Sequence, residues 1–549
     1  MKTVIVGGVA GGMSCATRLR RLDETAEIIV LERGEHVSFA NCGLPYYAGG
    51  VIGDRDELLL QTPATLKERF NLDVRIKHEV ISIDEKNKTI QVKNLDNNNI
   101  ESIQYDNLVL SLGASPVIPP MEGAEKLFTL RNIYDVDKLV EKIALSKNNK
   151  SKAVVIGAGF IGLELAENLV KQGLQVSIVE MAPQVLPALN PEMSSYVAQE
   201  LIDNGVELEL GVSVQSVGDD EVVLSDGRRI EADLVFASIG VRPEISILKE
   251  AGIEIGSKGG VVVDGAMKTS VDNIYAVGDM VEKIDFLTKE SGLVALANLA
   301  NKQGRRAADS ICNIKYNENS NNALGTAVVK VFDLTVAMTG MSSRRLTQMD
   351  REFISIHTHP NDHASYYPGA IQMHIVTHVD ALSGELLGAQ AVGPHDAVRK
   401  IDVLATAIAG KINAVELIDL ELAYSPQYSS AKDAINMIGY IADGILNAND
   451  RVVEANQLDN KVIVDVRTEE EFNEGSIPGA INIPLDDIRD RYVELEKNSG
   501  IIVYCQVGQR GHTAQRLLKQ LGFAVSNLDG GYLTWEAFNF ASNIIVPQK

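Results

Sequence analysis

At 549 residues the chain exceeds the size of one domain several times over, and its 45% hydrophobic and 23% charged residues exclude a disordered or low-complexity polymer. A formal net charge of −23 gives a field that repels nucleic acid and anionic membranes, so neither is an expected partner. No apolar run reaches membrane-spanning length, and the four scattered cysteines, Cys15, Cys42, Cys312 and Cys505, make no disulfide framework, which predicts a reducing cytoplasm.

The first strand, Lys2 to Val6, begins with no leader pattern before it, which fits the same compartment. The turn Gly7-Gly8-Val9-Ala10-Gly11-Gly12 follows, then a helix from Ser14 to Leu22 and a strand from Glu27 to Glu32, a βαβ opening. Val9 stands where a dinucleotide-binding turn ordinarily has its second glycine. Gly7, Gly11 and Gly12 nevertheless leave room for a pyrophosphate at a helix N-terminus, and Glu32 ends the strand where a ribose is met. Asn97-Asn98-Asn99 marks a turn between short strands, and Leu108 to Gly113 reads as a buried strand ending in a turn.

Asn148-Asn149-Lys150 breaks the pattern before the βαβ theme restarts at Ala153. Gly157-Ala158-Gly159-Phe160-Ile161-Gly162 follows an apolar strand and opens a helix from Leu163 to Gln172, the context that makes Gly157, Gly159 and Gly162 a nucleotide turn. Glu180 ends the next strand, placed to accept from a ribose 2′-hydroxyl; its charge repels a 2′-phosphate, favouring NADH with NADPH still open. A strand from Leu234 to Ile239 and the segment Asn273 to Asp279 return the chain to the first unit. Asn317 to Asn322 reads as a boundary, Gly325 to Ile445 as mixed strand and helix, Asn447 to Asp450 as a linker, and residues from 452 as a further α/β module.

The segment Ile274 to Asp279 resembles the flavin-contacting segment of flavoproteins with two dinucleotide domains, which implies that Gly278 and Asp279 meet FAD. Around Cys42, Ser38-Phe39-Ala40-Asn41-Cys42-Gly43-Leu44-Pro45-Tyr46 resembles the single-cysteine coenzyme A disulfide reductases and their NADH-dependent persulfide-reductase relatives, and the likeness covers nearly the whole chain. That resemblance implies that Cys42 is the redox cysteine beside the flavin. Glutathione-reductase-type enzymes hold a Cys-x4-Cys pair, but residue 47 here is tyrosine, so a lone Cys42 forms a mixed disulfide or a persulfide with an external sulfur partner. The related NADH oxidases and peroxidases, which cycle a lone cysteine through sulfenic acid, typically carry a histidine in the first glycine turn; Ala10 stands there and the first histidine is His36.

By the same resemblance Ser14, Arg18, Arg21, Ser38, Asn41 and Lys432 match positions that hold coenzyme A, and arginines suit its phosphates. The family pattern also includes two tyrosines that reach the partner subunit's redox cysteine in a homodimer, taken here as Tyr367 and Tyr424. His357-Thr358-His359 and His363 lack the partners of a metal site and read as a strand end entering a polar loop.

In the tail, Asp465-Val466-Arg467, Gly475 to Ala480 and Cys505-Gln506-Val507-Gly508-Gln509-Arg510 together resemble a rhodanese domain. A strand from Ile501 to Tyr504 delivers Cys505 into a loop whose N–H groups, with Arg510, favour a thiolate that carries sulfane sulfur. Cys15 and Cys312 read as small core residues on helices.

The expected fold is α/β: two dinucleotide-binding (Rossmann-like) domains, FAD at 1–115 with 245–322 and NAD(P)H at 116–244, an α+β dimerisation domain at 323–446, and a rhodanese domain at 452–549. The expected activity is FAD-dependent, NADH-driven reduction of coenzyme A persulfide, polysulfide or coenzyme A disulfide. An NADH oxidase or peroxidase and a redox-sensing sulfane-sulfur carrier stand as alternatives.

Overall fold

The structure is a computed structural model and describes residues 1–146, 151–315, 321–458, 461–497 and 500–544. The expected break at Asn148-Asn149-Lys150 and most of the expected boundary from Asn317 lie outside the described residues. The chain divides into two compact units, one of residues 1–179 with 213–325, the other of 180–212 with 326–549.

The first unit is built on strands β1 (Lys2–Val6), β2 (Glu27–Leu31), β3 (Asp73–Arg75) and β4 (Asn107–Leu110). A second group comprises β5 (Lys152–Ile156), β6 (Gln175–Glu180) and β7 (Leu234–Ala237), and β8 (Ile274–Ala276) returns to the first sheet, which runs β8-β4-β1-β2-β3 with every pairing parallel. Parallel strands covered on both faces need apolar side chains at successive positions. Val4, Ile5 and Val6 are all buried, Val4 and Val6 packing with Ile29, Leu31 and Leu108 on one face, Ile5 with Ile28, Val30 and Val109 on the other. β5 lies between β6 and β7, again parallel to both, so the sequence's repeated βαβ theme is a repeated sheet.

Helix α1 (Ala10–Leu22) begins inside the glycine turn, four residues before the expected start, because Gly7 at φ +101° reverses the chain and Gly12 lies where a Cβ would fall 1.9 Å from the Gly7 carbonyl oxygen. α2 (Leu44–Ala48) follows Cys42, α3 (Phe160–Lys171) follows the second glycine turn, and α4 (Ala297–Ile311) packs along α1, with Gly304 set where a Cβ would fall 2.1 Å from the Gly11 oxygen. Cys15 is fully buried between these layers, as expected. Arg20, between the two arginines the sequence singled out, is a structural pin: its guanidinium donates to the carbonyls of Phe70, Glu24, Ala26 and Asn71.

In the second unit, β9 (Ala327–Val331), β10 (Leu334–Gly340), β11 (Phe353–Thr358), β12 (His374–Asp380) and β13 (Leu386–Gly393) form an antiparallel sheet in the order β9-β10-β13-β12-β11. β13 is buried along its whole length, packed by α5 (Ala397–Gly410) and the helix Pro191–Asp203. A separate parallel sheet takes β14 (Val452–Val453), β15 (Val462–Asp465), β16 (Ile481–Asn482), β17 (Ile501–Tyr504) and β18 (Val525–Leu528) in the order β14-β18-β17-β15-β16. α6 (Glu469–Glu474), α7 (Gln509–Gln520) and α8 (Gly531–Ile544) belong to this module.

His357 and Thr358 end β11 and the chain enters a polar loop from His359, as expected, but both histidines are buried there. Asn447 to Asp450 connects the helix Ala434–Leu446 to β14 and is pinned: Asp450 is buried and accepts from Arg516 at 2.7 Å, while Lys519 donates to the carbonyls of Ala448 and Asn449. Among the described residues no helix is long and apolar enough to cross a membrane, and no group of three or more His, Cys, Asp or Glu is arranged to hold a metal ion.

Candidate active sites

The first glycine turn is closed from several sides. A Cβ at Gly7 would fall 2.1 Å from the Ser111 carbonyl oxygen, and one at Gly11 would meet Val277 and Ser111 at 3.0 and 3.1 Å. Glu32 does more than end its strand: its two carboxylate oxygens accept from the Gly8 and Gly34 amides at 2.9 and 2.7 Å, which shapes the turn. Gly278, at φ +83°, receives two contacts that sequence reasoning missed, its N–H donating to Gln303 Oε1 and its carbonyl accepting from buried Lys283 Nζ at 2.6 Å. Burial lowers the Lys283 ammonium to about 8, against the pull of Asp279. The Asp279 carboxyl is half-buried; burial raises its pKa while Lys283 and Arg131 pull it back. Helix α1 has no acidic residue in its first turn and no side-chain cap, so the turn and the helix start fit the pyrophosphate of a dinucleotide.

The second turn repeats this construction. Gly157, at φ +101°, sits where a Cβ would fall 2.6 Å from the Ser238 oxygen, and Gly162 where one would fall 2.0 Å from the Gly157 oxygen. Gly159 instead opens on space, with no atom within 4 Å of a built Cβ, which suits close approach of a pyrophosphate. Glu180 ends β6, and its Oε1 accepts from the Ala182 amide at 2.8 Å.

Cys42 lies on a short 3-10 turn, Asn41–Gly43, that leads into α2. It is the exposed thiol among the four cysteines, none of which is disulfide-bonded; Cys15 and Cys505 are buried and Cys312 is half-buried. The surrounding protein, then the carboxylates of Glu164 and Asp279, push the Cys42 thiol up. Glu164 is a site residue the sequence reading missed, although it stands two positions after Gly162 on the helix that the second glycine turn opens. Its Oε1 accepts from the Tyr46 hydroxyl at 3.0 Å, and burial raises its own carboxyl pKa. Asn168 and Gln172 extend the same helical stripe: Gln172 Nε2 donates to the Gly49 carbonyl at 2.5 Å, and a Cβ on Gly49 would fall 1.9 Å from Asn168 Oδ1. The nucleotide helix and the redox-cysteine helix are thus directly bonded.

Of the residues matched to coenzyme A, Ser14 donates to Asn301 at 2.8 Å, Arg18 pairs with Asp309 at 2.7 Å, and Arg21 and Asn41 are exposed. Ser38 holds a left-handed φ of +48° while its N–H donates to the Gly8 oxygen, a strained conformation of the kind that clusters at functional sites. Lys432, in the second unit, is exposed. There the Tyr424 hydroxyl bonds to that of Tyr366 at 2.8 Å, and Tyr367 packs edge-on against His363, so Tyr366 joins the candidates.

The tail site is built at the end of β17. Alternation along that strand sends Ile501, Val503 and Cys505 into one cluster and Ile502 and Tyr504 into another. The loop after Cys505 turns at Gly508, φ +89°, whose carbonyl accepts from Asn527, and Tyr532 N–H donates to the Cys505 oxygen at 2.8 Å. Arg510 is gripped bidentately by Glu471 at 2.6 and 2.7 Å. Arg510 in turn holds the Glu471 carboxyl down to about 2. Arg467 pairs with fully buried Asp465, donates to Gln506 Oε1 and lies 4.3 Å over the Tyr532 ring.

Two glycine turns opening onto parallel sheets, a lone exposed thiol beside the first and a second thiol in a backbone loop define a two-nucleotide oxidoreductase fused to a sulfur-handling module. The chain belongs to the pyridine nucleotide-disulphide oxidoreductase family, whose pattern matches residues 1–304, with the family's dimerisation domain at 326–435 and a rhodanese-like domain at 449–538. More particularly, it is 34% identical over 441 residues to the coenzyme A disulfide reductase of Staphylococcus haemolyticus, covering 80% of this chain and 99% of that one. Among solved structures it is similar to reduced Bacillus anthracis CoADR-RHD, with 43% identity, a TM-score of 0.95 and 98% of both chains covered. It is also similar to an NAD-dependent persulfide reductase from A. fulgidus, with 34% identity, a TM-score of 0.92 and 97% and 100% of the two chains covered. Membership makes the protein an oxidoreductase with a flavin and a nicotinamide nucleotide as cofactors.

Proposed function

We propose that the protein is an NADH-driven reductase of coenzyme A persulfide, polysulfide or coenzyme A disulfide, working in the cytoplasm as a homodimer, with Cys42 as its redox thiol and Cys505 as a sulfur carrier. The observation that carries this reading is the lone, exposed Cys42 with Tyr47 where a resolving cysteine would stand. FAD, when bound, takes hydride equivalents from the nicotinamide and passes them on to sulfur. FAD would be held by Gly7, Gly11, Gly12, Glu32, Gly278 and Asp279, and NADH by Gly157, Gly159, Gly162 and Glu180.

Cys42 thiolate attacks the substrate S–S bond, forming a mixed disulfide or persulfide and expelling the other sulfur as a thiolate or hydrosulfide. The net reaction for a persulfide is CoAS–SH + NADH + H⁺ → CoASH + H₂S + NAD⁺. Ser14, Arg18, Arg21, Ser38, Asn41 and Lys432 would hold the coenzyme A moiety, Arg18 and Arg21 through its phosphates. Tyr424, with Tyr366 or Tyr367, would donate to the departing sulfur. The proposed domains are 1–115 with 245–322 for FAD, 116–244 for NADH, 323–446 for dimerisation and 452–549 for the rhodanese. Anaerobic NADH oxidation with coenzyme A persulfide, coenzyme A disulfide, polysulfide and peroxide tests the reading, with sulfur substrates preferred; consumption of peroxide or oxygen alone would defeat it.

A further inference from the structure

The buried histidines of β11 are absorbed by neither nucleotide nor sulfur chemistry. Both ring nitrogens of His357 face carboxylates: Nδ1 lies 2.5 Å from Asp529 Oδ2 and Nε2 lies 3.1 Å from Glu192 Oε1. The His357 backbone N–H also donates to Asp529 Oδ1 at 3.0 Å. Ionised carboxylates only accept, so a ring between two of them is an imidazolium with both N–H groups donating. One strand of the antiparallel sheet, the helix Pro191–Asp203 and the tail module therefore meet in a single buried ion triad.

The contacts continue along the chain from Asp529. Gly530, at φ +63°, lies where a Cβ would fall 1.9 Å from Thr534 Oγ1 and 2.7 Å from His357 Cβ. Thr534 Oγ1 is 2.8 Å from His359 Nε2, His359 Nδ1 is 2.8 Å from His374 Nδ1, and His374 stacks at 3.8 Å on Tyr196 of the helix Pro191–Asp203. The other side of this segment faces the sulfur loop. A Cβ on Gly531 would fall 2.2 Å from the Cys505 oxygen, and the Tyr532 and Leu533 amides donate to the Cys505 and Gln506 oxygens at 2.8 and 3.2 Å. Independently, the segment leading into the module is pinned through Asp450 to Arg516 and through its carbonyls to Lys519.

We infer that His357 is a positioning residue for sulfur transfer at Cys505: with Glu192 and Asp529 it seats the segment 529–534, and through it the carbonyl side of the Cys505 loop, on β11 and the helix Pro191–Asp203. The surface formed by His357, His359, Glu192 and Tyr196 is a dock for the chain's own tail module. The module is held in one place and does not swing on residues 447–450. The positioning role rests on the proposed sulfur-carrying role of Cys505; the docking does not.

The test uses the full-length flavoprotein. His357→Gln breaks the triad from the sheet side, and Gly530→Ala intrudes on it from the module side. In each, kcat for sulfur transfer from polysulfide to a small thiol is expected to fall roughly ten- to hundred-fold. The KM for polysulfide and the NADH turnover with coenzyme A disulfide should stay near wild type. Hydrogen exchange of the backbone amide at residue 357, which donates to Asp529 of the tail module, should be slow in wild type and accelerate in both variants while the amides paired between β12 and β13 stay slow, a control that separates undocking from loss of the fold. Fast exchange in wild type would overturn the docking. Unchanged kcat and exchange in both variants would overturn the positioning role alone. Wild-type protein that transfers no sulfur would remove the reading of Cys505 and the positioning role with it, while exchange still reports the docking.

Discussion

Arg510 owes its orientation to Glu471, a residue 39 positions earlier that no local motif marks. The sequence gives reason to expect an arginine near Cys505, because cysteine and arginine bound one loop; the carboxylate that aims it is brought in by the fold. Glu471 serves twice, since it also closes the capping box at the start of α6 with Thr468. Glu471→Gln keeps one oxygen for the cap and puts in place of the other an NH2 that cannot accept from Arg510, so one charged hydrogen bond is lost and the other weakened, a loss of about 1.5–3 kcal/mol, or roughly ten- to hundred-fold in rate. Sulfur transfer by Cys505 should drop by that factor and NADH turnover with coenzyme A disulfide should not move; steady-state assays of both on one preparation check it.

His357 gives a second residue-scale case with a definite pH sign. Burial alone would lower its pKa, but Asp529 and Glu192 outweigh burial and raise it to about 10. The neighbouring His359 and His378 are held low by burial, and Glu454 also faces the group. A histidine raised in the folded state stabilises fully below its unfolded pKa of about 6.5, and that contribution falls as pH rises and is gone once pH passes about 10. Wild-type protein should therefore lose melting temperature from pH 7 to 10 more steeply than His357→Gln, as calorimetry across that range would show. Parallel slopes would mean that His357 is neutral in the fold. The strand end and the loop after it were legible in the sequence, but the partners of His357 lie 165 and 172 residues away, so the ion triad was not.

Elements were legible wherever their signal was periodic. The strand Ile501–Tyr504 and the turn at Asn97 to Asn99 fall where alternation and asparagines put them. Both nucleotide helices start earlier than expected, at Ala10 and Phe160, because small residues in a glycine turn look like loop until the backbone is seen to close on itself. What no periodicity revealed is the stripe of Glu164 and Asn168 on α3, continued by Gln172 at its C-terminal end, that meets Tyr46 of α2 and Gly49 just after it. A methyl group at Gly49 has nowhere to go but into Asn168. Gly49→Ala should cost about 1–3 kcal/mol by overpacking, displace the helix that follows Cys42, and slow reduction of coenzyme A disulfide while sulfur transfer at Cys505 is spared. Urea unfolding followed through the flavin, together with the two assays, tests this; equal losses in both activities would mean a general loss of fold.

At the scale of the whole molecule, two thiols of different surroundings sit in two compact units, Cys42 exposed in the first and Cys505 buried in a loop of the second. On the proposed function, chemistry supplies a link that needs no direct contact: a Cys505 persulfide plus CoASH would give back the thiol and CoAS–SH, which Cys42 would then reduce at the expense of NADH. Cys505→Ser should leave reduction of added coenzyme A persulfide near wild type and lose the NADH-dependent sulfide release that starts from a sulfane donor and catalytic CoASH. Cys42→Ser should do the reverse, loading coenzyme A with sulfur while consuming no NADH. Mixing the two variants with free CoASH discriminates further. If the carrier leaves the enzyme, the mixture regains sulfide release with a rate that rises with CoASH concentration. If sulfur passes only within one chain, the mixture stays silent at every CoASH concentration while wild type works.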